Sequence, residues 1–148
     1  ENIKLLVAGK CWEDWGKYED LINKYNVQNR VIRHLGFIPA EAIELFFKAA
    51  DLVLLPYKYF DAQSGIGAIG LAFGIPMVVS DTGGLAEYVN NPYCVVAPND
   101  PEALAQKVIR ILEDKNLYKE LARDIQIKGE QVSWENVAKM TIDVYAGV

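Results

Sequence analysis

Cysteine and histidine are scarce in this chain, and their scarcity excludes several kinds of site. The 148 residues contain two cysteines, Cys11 and Cys94, and one histidine, His34. The cysteines lie far apart, with no further Cys or His at metal-ligand spacing, which favours reduced thiols over a disulfide framework. His34 lies in the apolar run from Val31 to Phe37, which is more typical of a histidine in or beside the core than of a catalyst. The sequence therefore predicts neither a metal site nor a Ser-His-Asp triad.

Long apolar runs and an excess of positive charge are also absent. No stretch reaches the roughly 20 apolar residues that a membrane-spanning helix needs, and no signal peptide precedes the first predicted strand. The net charge of −5 and the isoelectric point near 4.9 argue against a nucleic-acid surface, which requires clustered Lys and Arg. We therefore expect a cytoplasmic protein that does not bind nucleic acid.

Short apolar runs alternate with amphipathic segments along the whole chain. The apolar runs predict strands, the first of them buried on both faces, at Ile3–Ala8, Val31–Leu35, Leu52–Leu55, Met77–Ser80 and Tyr93–Val96. Helical spacing and caps predict helices over Glu13–Tyr25, Pro39–Phe47, Ile66–Phe73, Leu85–Val89, from Pro101 onward, over Leu117–Gln131 and from Ser133 to Tyr145. We expect Trp134 to anchor the last helix to the core. The alternation predicts an α/β fold with a doubly wound, Rossmann-like parallel sheet.

Two glycine-rich loops flank the predicted strand Met77–Ser80. The first contains Ser64-Gly65-Ile66-Gly67 ahead of an apolar helix, and the second contains Gly83-Gly84. A helix start built from small residues leaves backbone N–H groups open to an anion, phosphate above all. One such loop alone is more often an ordinary turn. Asp61 before the first loop and Glu87 after the second favour a ligand site beyond the carboxyl ends of the strands.

The polar side chains of the first loop have two interpretations. Asp61, Gln63 and Ser64 offer hydrogen bonds to a hydroxyl-rich group beside a diphosphate. Taken alone, Asp61 is better explained as a helix cap, and Glu87 can likewise be an ordinary surface acid. Both interpretations stay open at this point.

Cationic and apolar candidates follow other strand ends. Lys10, next to Gly9, and Lys58 either neutralise phosphate charge or are simply solvated. Phe37 and Ile38 either offer an apolar ledge to a base ring or pack under their own loop. Because these positions follow parallel strands, we expect them at one edge of the sheet with the two glycine-rich loops.

In order along the chain, these segments resemble the group 1 glycosyltransferases of the GT-B fold. The resemblance rests on Leu-Val-Ala-Gly at 6–9, Leu-Gly-Phe at 35–37, the segments 49–56 and 74–87, and the tail from Asn99 through Trp134. It covers nearly the whole chain and implies the C-terminal, nucleotide-sugar-binding domain of a retaining, hexosyltransferase-type enzyme. Such an enzyme moves a sugar from a nucleoside diphosphate donor to a glycan or lipid-linked acceptor. The resemblance implies no cofactor and no metal.

The resemblance also assigns roles to individual residues. Asp61 stands where the family has the first Glu of its Glu-x7-Glu motif, which implies the catalytic role. The second Glu falls at Ile69, so the carboxylate that usually meets the ribose is missing. Phe37 and Ile38 match the turn that faces the nucleobase. The implied donor-binding set is Gly9, Lys10, Phe37, Ile38, Lys58, Gln63, Ser64, Gly65, Ile66 and Gly67.

Residues 1–148 resemble only part of that domain, with residues 115–148 as its C-terminal helices. The family's first β-α unit, which supplies a basic residue, and its acceptor-binding domain have no counterpart in this chain, which starts at Glu1 without Met. We expect the chain alone to be inactive and to self-associate through an open sheet edge, and the full-length enzyme to lie at the membrane periphery. Two alternatives stay open: an epimerase-like or phosphorylase-like enzyme of the same fold, and a non-catalytic nucleotide-binding module.

Overall fold

The computed structural model describes residues 3–147, which form two compact units, one up to Ala50 and one from Asp51. The strands are β1 (Leu5–Gly9), β2 (Val31–Leu35), β3 (Val53–Leu55), β4 (Met77–Ser80) and β5 (Val95–Val96). The helices are α1 (Gly16–Lys24), α2 (Ala40–Lys48), α3 (Gly65–Ala72), α4 (Pro101–Glu113), α5 (Lys115–Gln131) and α6 (Trp134–Ala146). Short 3₁₀ turns cover Gln28–Arg30, Leu85–Tyr88 and Pro92–Cys94. None of the helices in this range is long and apolar enough to cross a membrane.

The first unit is built on a parallel pair of strands. β1 and β2 pair from Leu5 opposite Val31 to Gly9 opposite Leu35. The pairing continues one step further, because the N–H of Gly36 donates to the carbonyl of Gly9 at 2.9 Å. The prediction that β1 is buried on both faces is wrong: Leu5 is 47% exposed. Burial of an apolar strand requires cover on both faces, and this two-stranded sheet leaves much of its surface open.

The second unit contains the well-buried core. β3, β4 and β5 form a three-stranded parallel sheet with β4 in the centre, Leu54 opposite Val78 and Val79 opposite Val95. The three apolar residues of β4 are fully buried. The side chains that share this complete or nearly complete burial are those of Leu85, Cys94, Ile111, Leu121 and Ile125. The parallel α/β architecture expected from the sequence is thus confirmed.

Local side-chain chemistry explains where several elements begin. α1 begins at Gly16 rather than Glu13, because the Asp14 carboxylate accepts from the N–H of Gly16 at 2.9 Å and closes a turn first. The predicted strand Tyr93–Val96 shortens to β5, because the Asn91 side chain accepts from the N–H of Tyr93 at 3.0 Å and starts a 3₁₀ turn. The predicted caps Asp100 and Ser133 accept from the N–H groups of Ala103 and Asn136.

Trp134 does not anchor the last helix. Its side chain is 86% exposed, and α6 contains no buried residue. The expectation of a core anchor is therefore wrong. A large aromatic at the first position of an amphipathic helix indicates an apolar face, but the packing partner has to be supplied by another element.

Candidate functional site

The first turn of α3 is organised by Ser64. Ser64 has extended backbone angles, and its Oγ accepts from the N–H of Gly67 at 3.1 Å. The carbonyl of Ser64 accepts from the N–H of Ala68 at 3.0 Å, which is the first helical hydrogen bond. The residue is only 3% exposed. Ser64 is therefore the N-cap of α3, and its side chain is buried in the protein instead of being offered to a ligand.

Of the three backbone N–H groups that the sequence predicted for phosphate, one is bonded within the protein and two are unpaired in the described part of the chain. The expectation that Gly67 presents its N–H is wrong, because Ser64 already accepts that hydrogen. Gly67 also lies against Tyr88, since a Cβ at this position would be 2.9 Å from Cε2 of the Tyr88 ring. Across residues 3–147 the N–H groups of Gly65 and Ile66 have no hydrogen-bond partner. These two donors are available at the start of the helix.

The second glycine-rich loop packs directly on the first. The Thr82 hydroxyl accepts from the N–H of Phe60 at 3.2 Å and lies 3.3 Å from the Phe60 carbonyl, to which it donates. Gly83 has a φ of +54°, and a Cβ there would be 2.3 Å from the Phe60 carbonyl oxygen. A Cβ on Gly84 would be 2.6 Å from Nε2 of Gln63. The structure therefore brings the two loops together, as their positions around β4 led us to expect, and the contact requires glycine at position 83.

The acidic residues of both loops now have defined surroundings. Asp61 is exposed and accepts from the Tyr59 hydroxyl at 3.2 Å, while Ser64 caps the helix, so the helix-cap interpretation of Asp61 is wrong. Glu87 accepts from Nε2 of Gln63 at 3.1 Å, so it is more than an ordinary surface acid. Ile69, where the motif has its second Glu, is half-buried on α3. Asp61, Glu87 and the exposed Asp81 directly after β4 are the acids on the two loops.

Tyr88 is a site residue that sequence reasoning missed. Its hydroxyl donates to the carbonyl of Ser64 at 2.8 Å, and its ring covers Gly67. Burial raises the pKa of the Tyr88 phenol, so the group stays protonated and acts as a donor at neutral pH. The one signal in the sequence was an aromatic with a polar tip between the apolar residues Leu85 and Val89.

The candidates of the first unit lie at the carboxyl ends of β1 and β2. Gly9 has a φ of +131°, and Lys10 places its Nζ 4.3 Å from the centre of the Trp12 ring. Phe37 is 85% exposed, so it does not pack under its loop. Ile38 lines an open apolar cleft of about 480 Å³. The other lining residues are Leu6, Ile32, His34, Phe37, Pro39, Ala42, Leu45, Phe46 and Ala49.

The remaining ionisable candidates are Lys58, His34 and Cys94. Lys58 is exposed on the loop after β3, and the described residues offer it no ion-pair partner. His34 packs edge-to-face on Phe46 with ring centres 5.2 Å apart, as expected for a histidine beside apolar surface. Burial raises the pKa of the Cys94 thiol to about 11, which leaves it unreactive at neutral pH. In the part of the chain that the structure describes, no cluster of three His, Cys, Asp or Glu side chains is arranged to hold a metal ion.

Comparison with known proteins agrees with this architecture. The sequence profile of the family described as Glycosyl transferases group 1 matches residues 1–130. An uncharacterized glycosyltransferase of Methanocaldococcus jannaschii is 34% identical, the match covering 97% of this chain and 37% of that protein. The O-antigen chain mannosyltransferase B of Escherichia coli is 30% identical, the match covering 95% of this chain and 36% of that protein.

Solved structures give the same result at the level of the fold. Sucrose-phosphate synthase from Thermosynechococcus elongatus superposes with a TM-score of 0.76 at 25% identity, over 99% of this chain and 38% of that one. The Anabaena HepE protein in complex with UDP superposes with a TM-score of 0.81 at 20% identity, over 99% of this chain and 41% of that one. The chain thus spans little more than a third of the length of the relatives it matches. It belongs to the group 1 glycosyltransferase family and represents part of a GT-B glycosyltransferase.

Proposed function

We propose that this chain forms the donor-binding part of a retaining glycosyltransferase that uses a nucleoside diphosphate sugar. The observation that carries the proposal is the start of α3, where the N–H groups of Gly65 and Ile66 are unpaired, on the same loop as the exposed Asp61. Two unpaired N–H groups at a helix start suit a diphosphate. Two relatives support the sugar: one is named a mannosyltransferase, and the HepE protein was also solved with UDP-glucose.

The chemistry required of these residues is electrostatic. When the bond between the sugar's anomeric carbon and the diphosphate oxygen breaks, negative charge develops on the diphosphate and positive charge on the sugar. The N–H groups of Gly65 and Ile66, with Lys58 on the same loop, would stabilise the departing diphosphate. Asp61 would balance the positive charge on the sugar until the acceptor hydroxyl oxygen bonds to the anomeric carbon and its proton passes to the departing diphosphate. Because these groups supply the charge stabilisation, we expect transfer without a metal ion.

The first unit would hold the nucleotide end of the donor. The exposed Phe37 and the neighbouring Ile38 offer apolar surface to the base, and Gly9 allows close approach of the backbone. Lys10 would add positive charge to this donor-binding surface of the first unit. Because Ile69 stands where the family has the Glu that contacts the ribose, we expect ribose contacts to come from other groups.

The activity belongs to the protein that carries this chain. The acceptor, a glycan or a lipid-linked glycan, would be held by residues outside these 148. We propose that the enzyme works in the cytoplasm, at the membrane periphery where the acceptor is lipid-linked. The isolated chain is expected to bind the donor weakly, to transfer no sugar and to self-associate, because positioning of the two substrates is lost and a sheet edge is open.

Gly65→Val tests whether the N–H groups of Gly65 and Ile66, called the phosphate cradle below, bind the diphosphate. A Cβ on Gly65 meets no atom within 4 Å and the residue has no positive φ, so valine fits the fold and fills the space in front of the two N–H groups. Titration of the protein that carries this chain with UDP, ADP and GDP should show about 10-fold or greater loss of affinity for whichever binds tightest. Ala68→Val, an exposed position one turn along the same helix, is the matched control and should bind normally. Unchanged affinity in Gly65→Val would refute the cradle.

Asp61→Ala separates catalysis from binding in the same experiment. We expect kcat to fall about 100-fold or more while nucleoside diphosphate affinity changes little, because the carboxylate is proposed to act on the sugar in the transition state. Asp20→Ala, an exposed acid on α1, is the control. Equal losses of affinity and turnover would instead assign Asp61 to the nucleotide or to the fold.

A further inference from the structure

Tyr88 connects the second glycine-rich loop to the helix that carries the two unpaired N–H groups. It ends the 3₁₀ turn Leu85–Tyr88 and is 8% exposed. Leu85 at the other end of the turn is fully buried, and Val89 is nearly so. Buried side chains on both sides fix the backbone of the turn, so the position of the Tyr88 ring is set by the core of the second unit.

The contacts of Tyr88 act on both ends of the first turn of α3. The hydroxyl donates to the carbonyl of Ser64 at 2.8 Å, just before the helix. Three ring carbons would lie within 2.9–3.1 Å of a Cβ on Gly67, so the ring rests on the backbone of the third helical residue. Gly65 and Ile66 lie between these two contacts. A group that holds the residues on either side also determines the direction of the N–H bonds between them.

Further bonds keep the second loop in a fixed position relative to the first. The hydroxyl of Thr82 pairs with both the N–H and the carbonyl of Phe60, and Glu87 accepts from Gln63. Movement of the second loop would therefore move Tyr88 and the first loop together. Tyr88 therefore supports the backbone that carries the N–H groups of Gly65 and Ile66, in addition to filling space in the core.

We propose that Tyr88 is a positioning residue for the donor diphosphate, acting through Ser64 and Gly67 to aim the N–H groups of Gly65 and Ile66. The inference rests on the proposed function. Hydrogen bonds prefer N–H···O angles above about 150° and weaken steeply below about 120°, so a tilt of the first helical turn weakens both contacts to phosphate. Tyr88 itself does not touch the donor.

Tyr88→Phe tests this role, because it removes the hydroxyl and keeps the ring over Gly67. The carbonyl of Ser64 keeps its bond from Ala68, so no buried acceptor is left unpaired. In the protein that carries this chain, we expect affinity for the tightest-binding nucleoside diphosphate of a UDP, ADP and GDP panel to fall about 3- to 10-fold. Tyr93→Phe is the matched control in the same unit and should stay within about 2-fold, since the Tyr93 hydroxyl forms no hydrogen bond within residues 3–147.

A second readout separates positioning from a general loss of structure. The corresponding nucleoside, which lacks phosphate, should bind Tyr88→Phe as it binds the wild type, as followed by NMR titration. Weaker diphosphate binding with unchanged nucleoside binding supports the proposal. Unchanged diphosphate binding, or equal weakening of both ligands, overturns it while leaving the proposed function intact. Wild-type protein that binds none of the three diphosphates overturns both.

Thr82→Val keeps the proposal testable if Tyr88→Phe does not fold. It loosens the junction between the two loops without altering Tyr88, and the side chains have nearly equal volume. The same selective loss of diphosphate affinity is expected, about 2- to 5-fold. Thr141→Val on the exposed helix α6 is the control, because that hydroxyl donates only to the carbonyl of Val137 within its own helix.

Discussion

The two sheets of this chain are made of similar residues but differ in burial. β1 reads Leu-Leu-Val-Ala-Gly and β4 reads Met-Val-Val-Ser, and either run predicts a buried parallel strand. β4 lies between two strands and its residues are buried throughout, whereas β1 pairs with a single strand and leaves Leu5 about half exposed. An apolar strand sequence therefore indicates only a tendency of the strand to be buried. The number of neighbouring elements decides whether the tendency is satisfied.

Two kinds of glycine contribute to the loops of this chain. Gly9 and Gly36, after β1 and β2, have positive φ and open space where a Cβ would be. Gly67 and Gly83, in the two glycine-rich loops, lie where a Cβ would meet the Tyr88 ring or the Phe60 carbonyl within 3 Å. At Gly9 and Gly36, glycine is required by the backbone conformation. At Gly67 and Gly83, it is required by close packing of one loop on another.

Gly83→Ala should have the largest effect of the changes that test this contrast. The added Cβ would meet the Phe60 carbonyl oxygen at 2.3 Å and would sit at a φ of +54°, so we expect a loss of about 4 kcal/mol from strain and overpacking together. Gly9→Ala, with open space and only the unfavourable φ, should cost about 1–2 kcal/mol. Chemical denaturation measures both. Similar losses in the two variants would contradict the distinction between the two kinds of glycine.

Met77→Ala and Leu5→Ala compare the two sheets directly. Met77 is fully buried in β4, and its truncation leaves a cavity, so the free energy of unfolding should fall by about 3 kcal/mol. Leu5 is already half exposed, and its truncation should cost about 1 kcal/mol or less. Denaturation followed by circular dichroism gives both values. A loss at Leu5 as large as that at Met77 would show that β1 is covered in the folded protein.

The helix starts provide a third contrast, with a smaller effect. The N-cap residues of α1 and α2, Trp15 and Pro39, provide no side-chain cap, while the N-cap residues of all four helices of the second unit do. The Asp114 carboxylate caps α5 by accepting from the N–H groups of Leu117 and Asn116, and these bonds hold its pKa below the ordinary value of 3.8. The ionised form is thus favoured by folding.

This lowered pKa gives a pH dependence of known sign. The stability from the Asp114 cap is fully present above pH 3.8 and is lost as the pH falls through the lower pKa of the folded state. Asp114→Asn still caps the helix but does not titrate. Thermal unfolding from neutral pH downward should therefore show the wild type losing its advantage over Asp114→Asn only in acid. A difference between the two that does not change with pH would exclude this role of the carboxylate.

Local signals in the sequence predicted much of the fold. The bounds of β2 and β4 and the caps Asp100 and Ser133 are as predicted, because each depends on neighbours within a few residues. Trp134 was assigned to the core incorrectly, because its exposure depends on an element distant in sequence. The same limit applies to the site. Its two loops were predicted, but the sequence did not show that Ser64 uses the N–H of Gly67 or that Tyr88 supports the helix start.

The sequence by itself determined the order of strands and helices, the position of both glycine-rich loops and the membership of a glycosyltransferase family. These follow from periodicity, caps and short motifs, which act over a few residues. The tertiary structure alone decided which backbone donors are left unpaired, which glycines are needed for space and which apolar strand is buried. Those properties arise where residues distant in sequence, such as Ser64 and Tyr88, 24 positions apart, pack together and form hydrogen bonds with each other.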